Sequence, residues 1–350
     1  DRSVSRGLGD VYKRQYHASE TSSATSSRGE YFFPVTTDVN DSRSGFQLSS
    51  YDMTTIGWGC APEVQFKMNE EYPFMSGEFV WTGFDYLGEP TPYNKDLTNL
   101  LNFSDPNELE KARKELEELS KIKTPSRSSY FGIVDLCGFP KDRYYNYKSY
   151  WRPDVPTVHI LPHWKWQERI GEITPVHIYT SGDAVELFLN GKSLGRREKA
   201  HSYDRLTWDD VRYEPGSLRA IAYKNGQKWA EELVETTGKP AALQVTAEKT
   251  ELKNDGTDLS FIRVAVVDSQ GRVVPRSKNH LKFSVTGPAE IIATDNGDAT
   301  SLLPFQLSER DAYNGLALVI LRSQYMKQGK VVLTVESKGL PKQKIALKVE

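Results

Sequence analysis

Val185-Glu186-Leu187-Phe188-Leu189-Asn190-Gly191-Lys192-Ser193-Leu194-Gly195 holds apolar residues at period two (Val185, Leu187, Leu189) and then an Asn-Gly pair. A type I′ turn needs positive φ at both central positions, which Asn and Gly tolerate, so the stretch reads as a β-hairpin. Working outward, Val176–Thr180 and Leu218–Tyr223 alternate in the same way, and Asn225-Gly226 supplies a second two-residue turn. Strands and hairpins packed into residues 155–237 predict a small β-sandwich. Lys239-Pro240 marks the next boundary. Beyond it, Ala242–Ala247, Leu259–Asp268, Leu281–Thr286, Leu316–Arg322 and Lys330–Ser337 read as strands of a second, immunoglobulin-like sandwich over 238–350.

Residues 16–153 follow another pattern: aromatic, irregular and rich in Gly and Pro. An expected surface helix begins with Ser104-Asp105-Pro106, a cap followed by proline in the first turn, and continues through Glu108 to Lys121, with Leu109, Ala112, Leu116 and Leu119 at helical spacing. Asp1–Gln15 is charged and aperiodic and reads as an unnatural leader rather than a domain start; no signal peptide opens the chain. A length of 350 residues predicts two or three domains. The 45 basic and 47 acidic residues nearly balance, which argues against nucleic-acid or membrane-surface partners, whose binders carry a clustered basic excess. No apolar run approaches the roughly 18 residues of a membrane span. Cys60 and Cys137 are too few for a disulfide framework and are expected to be free and buried. His159 and His163 are four apart, but their segment alternates like a strand and no Cys or acidic cluster joins them, so no metal site is indicated. No glycine loop suits a nucleotide, so no cofactor is expected, with a bound Ca or Na ion left open.

The chemistry-bearing candidates all lie in the first region. Glu20 stands in His17-Ala18-Ser19-Glu20-Thr21-Ser22-Ser23-Ala24-Thr25-Ser26-Ser27-Arg28-Gly29. By itself such a Glu is more often a surface or capping carboxylate than a catalytic one. The second signal is Gly77-Glu78-Phe79-Val80-Trp81-Thr82-Gly83-Phe84-Asp85-Tyr86-Leu87-Gly88-Glu89-Pro90-Thr91-Pro92, an apolar strand that breaks after its Trp into polar and turn residues. A Trp in that place is either a core residue or, at the carboxyl end of a barrel strand, a residue facing substrate.

The segment around Glu20 resembles the nucleophile motif of glycoside hydrolase family 2 β-galactosidases, and Gly77–Thr91 resembles that group's eighth barrel strand. Ser126-Arg127-Ser128-Ser129-Tyr130-Phe131-Gly132-Ile133-Val134-Asp135 with Gly138–Asp142 is similar to its closing barrel helix region. Leu161-Pro162-His163-Trp164-Lys165-Trp166 and Glu186–Gly195 resemble the β-module after the barrel, and the last region resembles the C-terminal immunoglobulin-like module. The likeness runs from Tyr16 to nearly the end of the chain. It implies a multi-domain, mostly β chain: the C-terminal remnant of a (β/α)8 TIM barrel, strands seven and eight, over residues 16–153, followed by two immunoglobulin-like β-sandwiches. It also implies a retaining β-galactosidase with a β-galactoside as its carbohydrate partner. Glu20 matches the nucleophile and Trp81 the platform under the sugar, with the bond after that Trp often cis in this barrel clan. Asp85 and Glu89 follow on the same rim, where each would bond sugar hydroxyls or cap the loop. The family's acid/base, a Glu after an Asn at the end of barrel strand four, has no counterpart upstream of Tyr16. This chain alone is therefore expected to be an inactive part of an enzyme, whose parent works in the bacterial periplasm or outside the cell. β-Glucuronidases of the family hold the sugar carboxylate through an Asn-x-Lys-Gly motif; the matching place reads Ser129-Tyr130-Phe131-Gly132, which favours galactoside. A reading from another class makes the β-modules carbohydrate-binding or structural, with Trp164, Trp166, Trp208 and Trp229 as a platform if exposed.

Overall fold

A computed structural model describes residues 15–38, 42–93 and 128–350, together with 105–107, 110 and 114. The charged leader and the helix expected from Ser104 to Lys121 therefore lie outside the described residues, apart from scattered positions. The chain divides into two units, residues 1–236 and 237–350. The boundary expected at Lys239-Pro240 adjoins this division, and the one expected after Pro153 falls inside the first unit.

In the first unit, β1 (Tyr16–Ser22), the hairpin β2 (Arg43–Ser44) and β3 (Gln47–Leu48), helix α1 (Pro62–Glu71), β4 (Met75–Trp81) and helix α2 (Asp142–Trp151) come first. β1 and β4 pair in parallel, and among the described residues α1 stands between them and α2 follows β4. The sandwich follows: β5 (Val158–Leu161), β6 (Val176–Thr180), β7 (Ala184–Leu189), β8 (Lys192–Glu198), β9 (Leu206–Trp208), β10 (Ser217–Lys224) and β11 (Gln227–Glu235). One sheet is ordered β5-β6-β9 and the other β11-β10-β7-β8, both antiparallel. The two Asn-Gly turns form as the sequence predicts. Asn190 and Gly191 sit at φ 51° and 82°, Asn225 and Gly226 at 50° and 76°, and the flanking pairs are Leu189 with Lys192 and Lys224 with Gln227.

The period-two register sets Leu189, Leu187 and Val185 of β7 opposite Leu218, Ala220 and Ala222 of β10, and all six are buried. Trp164, Trp166 and Trp208 fill the same core, their indole nitrogens satisfied by the carbonyls of Glu214, His163 and Leu194. Trp229 is half-buried and donates to Ser181. Three of the four tryptophans offered as a sugar platform are thus core residues. The core is completed from outside the sandwich: Tyr31 and Tyr51, in the segment between β1 and α1, belong to it, and the Tyr51 hydroxyl donates to the Pro175 carbonyl at 2.6 Å.

The second unit closes its own core. Its strands are β12 (Ala242–Ala247), β13 (Glu251–Leu252), β14 (Leu259–Val267), β15 (His280–Thr286), β16 (Ala289–Asp295), β17 (Glu309–Asp311), β18 (Leu316–Ser323), β19 (Gly329–Ser337) and β20 (Gln343–Val349). They form sheets ordered β12-β14-β18-β16 and β13-β20-β19-β15-β17. Ile262, Val264, Val319, Leu321 and Leu333 are fully buried between them. Neither cysteine is in a disulfide, and both are half-buried rather than buried, Cys60 beside the end of β1 and Cys137 in the turn before α2. Among the described residues, no helix is long and apolar enough to cross a membrane.

All 7 tryptophans precede residue 237, so tryptophan fluorescence reports the first unit alone. Leu187→Ala should lower that unit's stability in urea by about 2–5 kcal/mol, the cost of a core Leu truncation. His159 gives the same unit a pH dependence. It stacks on Tyr145 of α2 at 3.8 Å, and its Nε2 lies 2.7 Å from Asp142. Burial would lower its pKa, but Glu232 and Asp142 hold the ring charged and raise it from 6.5 to about 9. A raised folded pKa contributes stability that is fully present below pH 6.5 and lost as pH rises through about 9. The fluorescence midpoint should fall across that window, and His159→Gln should flatten the fall.

Candidate active site

β1 and β4 end side by side. Ala18 pairs with Glu78, Thr21 with Val80 and Ser22 with Trp81, with an irregularity between Ala18 and Thr21 where Glu20 sits. Parallel pairing puts both carboxyl ends on one edge, so Glu20 and Trp81 share it. Glu20 is exposed, and Trp81 is 36% exposed. Among the described residues, no hydrogen bond or ion pair reaches the Glu20 carboxylate. Behind it, Thr21 turns inward and its hydroxyl donates to Glu78 at 2.8 Å. Glu78 also accepts from Asn69 of α1 and Trp151 of α2, which ties the strand pair to both helices. Burial raises the Glu78 pKa, and the three donors oppose it.

β4 ends at Trp81, where the sequence breaks into polar and turn residues, and the Trp81–Thr82 peptide is cis, as expected. Residues past the cis bond leave the ladder and run beside 131–134: Ile133 N donates to Thr82 O at 3.0 Å, Val134 N to Gly83 O at 3.0 Å, and Asp85 N to Val134 O at 3.1 Å. From Ser128 on, the described part of the segment expected as a closing helix region forms bends, turns and isolated bridges, and α2 begins only at Asp142. Gly132 makes the close approach possible, since a Cβ there would lie 2.2 Å from both Asp85 N and Val134 O.

The two rim carboxylates part company. Asp85 is buried, paired with Lys141 at 2.7 Å and bonded by the Gly132 amide at 2.8 Å. Burial pushes its pKa up to about 6 against the pull of Lys141, whose own pKa burial lowers. Of the two roles held open for it, this is the loop-holding one. Glu89 is exposed and accepts from the Tyr86 hydroxyl, which in turn accepts from the Trp81 indole nitrogen at 3.1 Å. Tyr86 also meets the Trp81 ring edge-on, with centroids 5.9 Å apart. The chain Glu89–Tyr86–Trp81 fixes the tilt of the indole, and Tyr86 lies inside the quoted motif without standing out in it.

Three buried cations support this edge, and sequence reasoning singled out none of them. Lys141 donates to the carbonyls of Ser26 and Tyr130 as well as to Asp85. Arg143 donates to the carbonyls of Ala24 and Phe131 and pairs with Asp52 at 2.5 Å. Arg28 pairs with Asp135 at 2.6 Å. Asp135 also accepts the amides of Cys137 and Phe139. Basic residues in a loop and a helix start are ordinary in sequence; only the fold shows that they are buried.

Residues 243–346 match the family description "Glycoside hydrolase family 2 C-terminal domain 5", and residues 171–230 match a domain of unknown function, DUF4982. The chain is 38% identical over 329 residues to a β-galactosidase of Bacteroides ovatus, covering 92% of this chain and 35% of that protein. It is 30% identical over 252 residues to a putative β-glucuronidase of Formosa agariphila, covering 71% of this chain and 22% of that one. The fold is similar to the crystal structure of a β-glycosidase from Bacteroides vulgatus, with a TM-score of 0.77 and 28% identity over 95% of this chain and 42% of the other. The chain thus spans about a third or less of the length of these two curated relatives, 35% and 22%.

Gly132→Ala should displace either Asp85 or Val134 and cost about 3 kcal/mol in urea unfolding, the upper end for overpacking, because backbone rather than a flexible side chain blocks the new methyl.

Proposed function

The chain belongs to glycoside hydrolase family 2, of whose enzymes it is the C-terminal part, and from that premise we propose that it supplies the nucleophile half of a retaining β-galactosidase site. The observation that carries this reading is the placement of Glu20 and Trp81 at the carboxyl ends of two adjacent parallel strands. β1–α1–β4–α2 would be the last two strand–helix repeats of a (β/α)8 barrel, whose catalytic groups project from the carboxyl ends of the strands.

In this reading Glu20 attacks the anomeric carbon to form a glycosyl-enzyme ester. A second carboxyl group, about 5–5.5 Å away, protonates the leaving oxygen and then activates water. In this reading that second group would come from a part of the parent enzyme other than residues 1–350. Trp81, held by Tyr86 and Glu89, forms the floor under the sugar ring. Asp85 holds the loop and does not touch substrate.

The galactoside reading draws support from the cations beside the loop. Arg28, Lys141 and Arg143 are each engaged by a buried carboxylate, and Ser129, Tyr130 and Phe131 are buried and uncharged. A uronate carboxylate would need a free cation there. The likeness to a putative β-glucuronidase keeps the glucuronide as the second reading.

The full-length gene product that carries this chain should turn over 4-nitrophenyl β-galactoside in preference to the β-glucuronide, and residues 1–350 alone should turn over neither. Glu20→Gln should lower kcat by at least about 10³-fold, as loss of a covalent nucleophile does. An activated 2-deoxy-2-fluoro-β-galactoside should label Glu20 covalently. Undiminished turnover by Glu20→Gln would exclude Glu20 as the nucleophile.

A further inference from the structure

β1 does not simply end after Glu20. Ser22 and Ser23 follow with φ of 64° and 46°, the left-handed region that side-chain-bearing residues avoid. The bend is held from several sides. Ser23 N donates to Thr21 O at 2.8 Å, and Cys60 N donates to Ser22 O at 2.7 Å. Gly59 lies so close that a Cβ there would stand 2.7 Å from Ser22 O and 2.8 Å from Ser23 O.

These contacts are to backbone and fix the depth of the bend. One contact to the Ser22 side chain comes from a different element: the Tyr147 hydroxyl, on α2, donates to Ser22 Oγ at 2.9 Å. Both residues are buried, at 1% and 5% exposure, so bulk water does not compete for that bond. Tyr147 is itself braced, edge-on to Phe66 of α1 at 5.2 Å and tilted against Trp151 at 4.7 Å. Ser22 is also the residue that pairs with Trp81 in the ladder. A displacement of Ser22 would therefore shift the strand bearing Glu20 against the strand bearing the indole.

We propose that Tyr147 is a positioning residue for Glu20, acting through its bond to Ser22 Oγ to fix where the nucleophile stands relative to Trp81. The proposal rests on the reading of Glu20 as the nucleophile. Tyr147 touches no substrate. Its effect should appear in the step that needs the carboxylate in line with the anomeric carbon, and not in ground-state binding.

The test uses the full-length protein as wild type, Tyr147→Phe, Ser22→Ala and the double variant, with active sites titrated by the activated 2-deoxy-2-fluoro-β-galactoside. Each single change removes one hydroxyl and leaves the packing volume nearly intact. Per titrated site, each should lower kcat on 4-nitrophenyl β-galactoside by about tenfold with KM within about twofold. The double variant should be no slower than the singles, because both remove one interaction. A purely structural Tyr147 would lower the melting temperature and the fraction of titratable sites and leave kcat per site at the wild-type value, which overturns the proposal. Multiplying losses in the double variant overturn it equally. A wild type that turns over β-galactoside but is not labelled at Glu20 overturns the nucleophile reading and this proposal with it, whereas labelled Glu20 with normal kcat in Tyr147→Phe overturns this proposal alone.

Discussion

Buried irregular backbone has to find hydrogen-bond donors, and in this chain two cations at the start of α2 provide them. Segments 22–28 and 128–135 are irregular and almost wholly buried, and each unpaired carbonyl in them would cost about 1–3 kcal/mol. Lys141 and Arg143 between them bond the carbonyls of Ala24, Ser26, Tyr130 and Phe131. Their charges are balanced by Asp85 and Asp52. A buried pair of this kind gives little net stability, since desolvation offsets attraction, but removing one partner leaves an uncompensated charge. The return lies in conformation: the pairs specify where three loops cross, and the carboxyl edge of β1 and β4 rests on that crossing.

The same logic sorts the carboxylates of the edge. Glu78 and Asp85 are held inside by donors and are pushed toward their neutral forms by burial. Glu89 faces out and orients an aromatic pair. Glu20 is left exposed. Four acidic side chains within one small region thus serve different ends because their surroundings differ in water and in donors, while their intrinsic chemistry is nearly the same.

What the sequence showed, it showed through periodicity and turn chemistry. The Asn190-Gly191 and Asn225-Gly226 turns, and the alternating runs around Val185, Leu218 and Leu259, mark strands because local sterics and one buried face determine them. β16 and β20 escaped: Gly287-Pro288 and Leu340-Pro341 stand just before them and obscure their starts, and β16 has a register irregularity after Ile291. α1 and α2 carry no strong apolar stripe, so only packing shows that they are helices. Glu20 and Trp81 were visible through a family likeness and not through pattern. Lys141, Arg143, Tyr86 and Tyr147 were not visible, since their roles depend on contacts across 5 to 125 positions of chain. Such contacts leave no local periodicity.

Tyr31 and Tyr51 complete the core of a sandwich whose strands begin more than a hundred residues later. Residues 155–237 are therefore not a portable module. A recombination event that moved them into another protein without the loop before α1 would leave an aromatic-lined gap where two tyrosines now sit. The second unit, which fills its core from its own strands, carries no such debt. Both are pairs of sheets, yet of the two only the later one closes its core without a distant loop, as a separately inherited piece must.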